Sequence, residues 1–139
     1  MEPLLVDTDV YSYISSSNPN RGAAYRPYLN GHYVALSFIT VGELYAGYRK
    51  MISKGEWSES HIQKLENLLK SAVIIPYDVE ICRVYGDLKS KTRHRVIGSN
   101  DLWIASCAVR HSLKLLTNNR RDFENIPGLD IICEAPPTR

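Results

Sequence analysis

The hydrophobic positions of this chain fall into short continuous runs, separated by longer segments in which apolar residues recur at helical spacing. The runs lie at residues 4–6, 33–38, 73–75, 114–117 and 131–132, and they predict strands that are buried on both faces. The spaced segments predict helices over residues 40–55, 58–72, 78–92 and 99–111. Residues 21–29 also fit a helix, although Pro27 would remove one of its hydrogen bonds.

Strands that alternate with helices predict an α/β fold, with a parallel β-sheet of four to five strands covered by helices on both faces. The chain has 139 residues, which fits a single domain. Residues 135–139, with two adjacent prolines, predict a frayed tail. In open parallel sheets, ligands bind outside the carboxyl ends of the strands. The polar residues that follow each strand are therefore the candidates for function.

Composition narrows the class of protein. No apolar run approaches the ~20 residues of a membrane span, and the N-terminal segment lacks the basic start of a secretory signal. We therefore expect a cytoplasmic protein with no membrane part. Cys82, Cys107 and Cys133 show no Cys-x-x-Cys spacing, so they predict buried, reduced thiols. The net charge of +2 does not indicate a nucleic-acid binder, so any electrostatic footprint must be local.

Acidic side chains follow several of the predicted strands. Asp7 and Asp9 come directly after the first strand, and Glu43 lies one helical turn beyond the second. Asp101 opens a helix, and Asp122 follows the strand that ends in Thr-Asn-Asn. A parallel sheet would bring most of these carboxylates to one edge, where their repulsion raises the pKa of some unless a cation neutralises them. A hard divalent ion such as Mg²⁺, held by one or two carboxylates and water, is the usual solution.

Each acid also has a purely structural interpretation. Glu43 could close a capping box with Thr40 at the start of its helix. Asp9, Asp101 and Asp122 could each lie in the first turn of a helix, where the dipole favours any carboxylate. Asp7 differs, because a carboxylate directly after a buried strand is costly without a partner or a metal.

Four segments of the chain resemble the motifs of the PIN-domain family. Residues 5–10 read LVDTDV, residues 37–47 read SFITVGELYAG, residues 97–106 read IGSNDLWIAS, and residues 115–123 read LLTNNRRDF. The order and spacing of these segments match the family over nearly the whole chain. The size and the single-domain layout look most like VapC-type toxins of bacterial and archaeal toxin–antitoxin pairs.

The resemblance implies a PIN-like (Rossmann-like) fold and a ribonuclease that depends on Mg²⁺ or Mn²⁺. Asp7, Glu43 and Asp101 would be the catalytic acids that hold the metal. Asp122 would be a further catalytic acid, since this chain has Asn119 where many members carry a carboxylate. As a toxin, the protein would bind a small antitoxin that inserts a segment into the acidic cleft through an Arg or Lys, and it would form a homodimer.

The same resemblance implies supporting roles for neighbouring polar residues. Asp9 stands where the family has Asn or Asp two residues after the first acid. Thr117 and Asn119, at the end of the fourth predicted strand, would position a water molecule on the metal.

Two short basic runs flank the motifs and are the candidates for RNA contact. The residues are Lys89, Lys91, Arg93 and Arg95 in the first run and Arg120 and Arg121 in the second. Cations that rim an acidic pocket would hold phosphates, which supply affinity without sequence information. The structural alternative for the first run is that its cations complement the C-terminus of a helix.

Two other functions remain open at this stage. Asp7-Thr8-Asp9 is similar to the Asp-x-Asp of haloacid-dehalogenase-like phosphatases, in which the first Asp is the nucleophile. That motif expects Thr or Val two residues after its second Asp, where this chain has Tyr11. The non-enzyme alternative is a PIN-fold binding module that has lost activity, which the presence of Asn119 leaves open.

Overall fold

The computed structural model describes residues 2–16 and 19–135. Their elements, in chain order, are β1 (Pro3–Val6), α1 (Thr8–Ser15), α2 (Pro19–Ala23), a 3₁₀ helix (Arg26–Leu29), β2 (Tyr33–Ser37), α3 (Phe38–Ser53), α4 (Glu59–Leu69), β3 (Val73–Ile75), α5 (Val79–Lys91), α6 (Ser99–His111), β4 (Leu115–Leu116), α7 (Arg120–Phe123) and β5 (Ile131–Ile132). Residues 136–139 of the predicted tail lie outside the described residues.

The five strands form one parallel sheet in the order β3-β2-β1-β4-β5. The predicted α/β class and the parallel sheet of four to five strands are thus confirmed. The chain builds the sheet outward from β1 through β2 to β3, and then returns to place β4 on the other side of β1. This reversal is a topological switch point, and it lies where β1 and β4 end side by side.

Helices cover both faces of the sheet, as the continuous apolar runs predict. Leu5 and Leu115 pack into one core cluster together with α5 and α6. Their neighbours Leu4 and Leu116 point the other way and pack into a second cluster with α3 and α4. Successive residues of a strand face opposite sides, so each central strand contributes to both cores. The strands carrying the candidate site are therefore anchored on two sides.

The predicted capping box at Thr40 and Glu43 is wrong. Helix α3 begins at Phe38, two residues earlier, and its N-cap is Ser37, whose hydroxyl accepts a hydrogen bond from the Thr40 amide at 3.1 Å. Strand β2 accordingly ends at Ser37 instead of Phe38. The shift places Glu43 in the second turn of the helix, so its carboxylate is not used as a cap.

Strands β3 and β5 have their predicted bounds, most other boundaries differ by one to three residues, and one predicted helix is divided. Residues 21–29 contain the end of α2 and the 3₁₀ helix with Pro27 near its start. The short helices α1 and α7 are too brief to show an apolar period, and the sequence indicated them only through the helix-start interpretation of Asp9 and Asp122. In contrast, α6 matches its predicted bounds, and most of its circumference is buried.

Two of the three cysteines differ from expectation. Cys107 is buried, but Cys82 and Cys133 are only partly buried, and all three thiols are free. None of the helices in the described residues is both long enough and apolar enough to cross a membrane.

Candidate active site

Asp7 is the buried centre of the site. It follows β1 and caps α1, with its Oδ1 accepting a hydrogen bond from the Thr8 amide at 2.8 Å. Its Oδ2 accepts one from the Thr117 hydroxyl at 2.7 Å, across the junction between β1 and β4. Only 4% of Asp7 is exposed, and Thr117 is fully buried. The switch point of the sheet thus holds a carboxylate that is fixed from two strands.

Asp9 lies in the first turn of α1, beside Asp7. Its Oδ1 accepts a hydrogen bond from the Val10 amide at 2.6 Å, and its Oδ2 accepts one from the Asn118 amide at 3.3 Å. Both acids of the first motif are therefore tied to the end of β4. Asp9 does lie in the first turn of a helix, as one interpretation predicted, but its side chain also binds the backbone just after β4.

Glu43 reaches the site from α3. Its Oε1 accepts a hydrogen bond from the Thr8 hydroxyl at 2.7 Å, and its Oε2 accepts one from the Asn100 amide group at 3.4 Å. Thr8 comes from α1 and Asn100 from α6, so the carboxylate is held between two further helices. The sequence did not single out Thr8 or Asn100, although each directly adjoins a motif acid.

Asp101 and Asp122 are joined through Asn119. The side-chain nitrogen of Asn119 donates to Oδ2 of Asp122 at 3.0 Å and lies 3.5 Å from Oδ2 of Asp101. The Asn119 backbone amide donates to the Thr117 hydroxyl at 3.0 Å, which fixes the loop after β4. Asn119 therefore acts as a hydrogen-bond donor between two carboxylates. It stands at the position where many members of the PIN-domain family carry a further carboxylate.

Burial raises the pKa values of Asp7, Asp9 and Asp101, and nearby carboxylates raise those of Asp7 and Asp101 further. The pKa of Asp7 is raised to about 8, first by burial and then by the charge of Asp9. The pKa of Asp101 is raised to about 7 by burial and by the proximity of Asp122 and Glu43. Burial also raises the pKa of Asp9. Within the described residues, none of these acids forms an ion pair with a lysine or arginine.

The donor set fits a hard divalent cation, but no cage is closed. In residues 2–16 and 19–135, no three Asp, Glu, His or Cys side chains are grouped so that they could hold a metal ion as they stand. Mg²⁺ commonly takes only one or two carboxylates and keeps several waters. Carboxylates that lie close together, and that form no ion pair among the described residues, are suited to such an ion. Asp7, Asp101 and Glu43 are the residues that would hold it.

The two basic runs have different surroundings. Lys89, Arg93 and Arg95 line an open recess of about 240 Å³ whose wall includes Leu102, next to Asp101. Arg95 also donates to the Asp122 carbonyl at 3.0 Å. Lys91, in contrast, forms an ion pair with Asp87 at 3.0 Å one turn earlier in α5.

The second run is likewise divided. The Arg120 guanidinium donates to the carbonyls of Cys133 and Ala135, both at 3.0 Å, so it fastens the chain after β5. Arg121 is exposed. The proximity of Arg120 and Arg121 along the chain therefore does not give them a common environment.

Tyr25 is a buried residue of this region that sequence reasoning did not identify. Its hydroxyl accepts a hydrogen bond from the Glu134 amide at 3.1 Å, makes a close hydrogen bond to Oδ1 of Asn118, and lies 3.3 Å from the Thr117 carbonyl. Only 2% of Tyr25 is exposed. These partners are about a hundred residues away in sequence, so no local pattern could have indicated them.

Comparisons with known proteins place this arrangement in context. The PIN domain model matches residues 4–129. The chain is 33% identical to a VapC ribonuclease of Sinorhizobium fredii over 142 aligned positions, which cover 96% of this chain and 99% of the relative. It is 30% identical to ribonuclease VapC2 of Rickettsia felis, with 90% and 92% of the two chains covered.

A solved structure shows the same architecture. VapBC2 of Rickettsia felis, bound to a DNA fragment from its promoter, contains a chain that superposes with a TM-score of 0.78 at 28% identity. The match covers 96% of this chain and 98% of that one.

Proposed function

We propose, from the premise that the chain belongs to the PIN-domain family, that it is a ribonuclease that hydrolyses RNA phosphodiester bonds with Mg²⁺ or Mn²⁺. Its relatives of the VapC type cover nearly its whole length, so its role is that of the toxin in a toxin–antitoxin pair. The cation and the individual residue roles are the parts of the proposal that require experiment.

One observation carries the proposal. Carboxylates from four separate segments meet at the switch point of the sheet, and no lysine or arginine of the described residues pairs with them. Holding such a group together costs free energy in the metal-free protein, because burial and like charge oppose ionisation. A cation bound among these carboxylates would offset their repulsion, so the arrangement favours cation binding.

The chain's own residues prepare the site for that cation. Thr117 and the Thr8 amide fix the two oxygens of Asp7, so that this buried carboxylate cannot rotate. The Thr8 hydroxyl orients Glu43. When bound, the cation would supply an activated water nucleophile and would offset charge on the phosphate oxygens.

Asn119 places a hydrogen-bond donor among the remaining acids. Its amide group stabilises Asp122 and Asp101 without adding a further negative charge. We propose that Asp122 thereby serves as the fourth acid, and that Asp9 supports the site through the end of β4.

RNA would approach this negative centre along the basic recess. Arg95 connects this recess to the acidic centre through the Asp122 carbonyl, and Lys89 and Arg93 line the same recess, so these three cations would hold phosphates that flank the cleaved bond. Arg121 is available on the exposed side of α7. These contacts would position the RNA without reading its sequence.

The partners of the protein follow from the same proposal. We propose that the protein binds a small antitoxin at the acidic cleft and that it forms a homodimer. We also propose that it lies in the cytoplasm, together with its RNA substrate and the antitoxin. The phosphatase alternative has less support, because Tyr11 stands where that motif has Thr or Val, and because the PIN domain model and the VapC relatives match nearly the whole chain.

Cleavage of a labelled total-RNA pool tests the activity. We expect cuts in Mg²⁺ or Mn²⁺, none in EDTA, and products with 5′-phosphate ends. Asp7→Asn and Asp101→Asn should each lower the rate by about 100-fold or more, as for loss of one group that stabilises reacting charge. Asp130→Asn, an exposed acid beside β5, is the matched control.

Metal binding separates the active enzyme from the inactive module. Isothermal titration with Mn²⁺ should show binding to the wild type and none to a triple variant lacking Asp7, Glu43 and Asp101. A folded wild type that neither binds Mn²⁺ nor cuts RNA would mean that the protein is an inactive binding module.

A further inference from the structure

A second recess borders the acidic centre on the side of α1 and α2. It has a volume of about 400 Å³ and is lined by Tyr13, Arg21, Ala24, Tyr25, Asn118 and Glu134. The volume lies in the ~300–1,000 Å³ range of sites that take small ligands. None of these residues belongs to the acid set that would hold the cation.

The recess is continuous with the acidic centre through Asn118. The backbone amide of Asn118 donates to Asp9, while its side chain lines the recess. The preceding residue, Thr117, donates to Asp7. An RNA strand with its cleaved phosphate at the acids would therefore place a neighbouring nucleotide at this recess.

Part of the lining of the recess is a cation–π pair. The Arg21 guanidinium carbon lies 5.3 Å from the centroid of the Tyr13 ring, in a cation–π arrangement. Aromatic rings and guanidinium planes are the surfaces on which unpaired RNA bases stack. Within the described residues, Arg21 forms no ion pair with a carboxylate, so its charge is available to a phosphate.

The other polar residues of the lining present one donor and one acceptor. Because the Tyr25 oxygen accepts the Glu134 amide hydrogen, the single proton of its hydroxyl is free to be donated to Oδ1 of Asn118. This fixes the orientation of the Asn118 amide, and its nitrogen has no hydrogen-bond partner among the described residues. The Glu134 carboxylate, on an exposed residue that lines the recess, also interacts with the Tyr28 hydroxyl, and a carboxylate has further acceptor positions that remain for a ligand.

We infer that this recess binds one unpaired guanine next to the cleaved phosphate of the RNA, an inference that rests on the proposed ribonuclease function. Guanine carries an amino group and an adjacent ring N–H that suit a carboxylate, and a carbonyl O6 that accepts from an amide. Adenine lacks the carbonyl, and uracil lacks the amino group. Tyr13 and Arg21 provide the stacking surface, while Asn118 and Glu134 read the base.

A binding selection tests the inference separately from catalysis. The Asp101→Asn variant, whose cleavage is impaired, is incubated with a short RNA pool of random sequence, and the bound RNA is sequenced. We expect guanine to be enriched over adenine at one position by about 5-fold or more, the discrimination of one good bidentate contact. Glu134→Gln in the same background should abolish that enrichment, and Asn118→Ala should weaken it.

Controls keep the result specific. Glu56→Gln changes another exposed glutamate and should leave the enrichment unchanged. Tyr13→Ala should lower RNA affinity, whereas Tyr33→Ala, an exposed tyrosine at the amino end of β2, should not. Melting curves for each variant confirm that it is folded.

Two outcomes would overturn the inference. The first is RNA binding with no base preference at any position. The second is a guanine preference that persists in both Glu134→Gln and Asn118→Ala, which would mean that other residues recognise the base. Cleavage by the wild type, run in parallel, distinguishes these from failure of the ribonuclease proposal, in which neither binding nor cleavage of RNA is seen.

Discussion

The acidic centre and the two basic runs are organised in opposite ways. The acids come from distant segments of the chain, yet the fold brings them together at the carboxyl ends of β1 and β4. The basic residues are neighbours in sequence, yet the fold separates them: Lys91 pairs within its own helix, and Arg120 fastens the chain after β5.

The difference has a physical origin. A carboxylate on a short side chain is placed by its backbone, and the ends of parallel strands necessarily share one edge of the sheet. Lysine and arginine have long, flexible side chains that find local partners. Sequence proximity is therefore a poor guide to a shared cationic surface, whereas position after a strand is a good guide to a shared acidic one.

Among the variants that test how the acidic centre is organised, the largest effect is expected for a change at Thr117. Thr117→Val removes the hydroxyl that holds Asp7 while keeping the shape of the side chain. We expect the rate of RNA cleavage and the Mn²⁺ affinity to fall by about 10- to 100-fold, as for other groups that orient a metal ligand. Thr117→Ser retains the hydroxyl and should keep most of the activity. Equal loss in both variants would mean that packing, and not the hydrogen bond, is the cause.

The next largest effect concerns the stability of the metal-free protein, which the buried Asp7 carboxylate lowers when it is ionised. The folded state raises the pKa of Asp7 from 3.8 to about 8, so it favours the protonated form. This contribution to stability is complete below about pH 4 and is lost as the pH rises through about 8. In EDTA, Asp7→Asn should therefore melt several degrees above the wild type at alkaline pH, with a smaller difference at pH 5.

Divalent cations should make the wild type melt above Asp7→Asn at alkaline pH, the opposite of the order expected in EDTA. Mn²⁺ should raise the melting temperature of the wild type at alkaline pH and leave that of Asp7→Asn nearly unchanged, because binding to the folded state stabilises it. The Asp130→Asn control should follow the wild type in both conditions. If Asp7→Asn is less stable than the wild type in EDTA at every pH, the claimed cost of this carboxylate is wrong.

Arg120 and Arg121 provide a sharper test of the basic runs. Arg120→Ala leaves the Cys133 and Ala135 carbonyls without their donor, so we expect unfolding in urea to show a loss of about 1–3 kcal/mol. Arg121→Ala should change stability by less than about 0.5 kcal/mol, as is usual for an exposed position. Equal stability of the two variants would contradict the assigned role of Arg120.

The smallest effect is expected for RNA affinity at the first basic run. Arg93→Ala removes a cation of the recess, whereas Lys91→Ala removes one that already has a partner in Asp87. The logarithm of the RNA-binding constant falls linearly with the logarithm of the salt concentration, and each lost phosphate contact reduces the size of that slope by about 1. We expect this change for Arg93→Ala and not for Lys91→Ala. Filter binding of a labelled RNA at several salt concentrations measures it, and the reverse ranking would exclude the recess as the RNA path.

Much of the site was predictable because strand ends can be recognised locally. Buried apolar runs located β1 and β4, and the residues after them, including Asp7 and Thr117, lie together at the switch point. Glu43 was correctly singled out, although the capping role considered for it is wrong. Only the observed start of α3 at Phe38 shows that its carboxylate is not consumed at the helix N-terminus.

What the sequence by itself determined is the α/β class, the parallel strands and the identity of the acids, because these follow from periodicity and from position along the chain. Only the tertiary structure decided which groups surround them. The Asn119 bridge, the Tyr25 hydroxyl and the Arg120 fastening all join residues through space, with partners that range from three to about a hundred residues away. Hydrogen bonds depend on distances of about 3 Å, and such distances between remote residues exist only once the chain is folded.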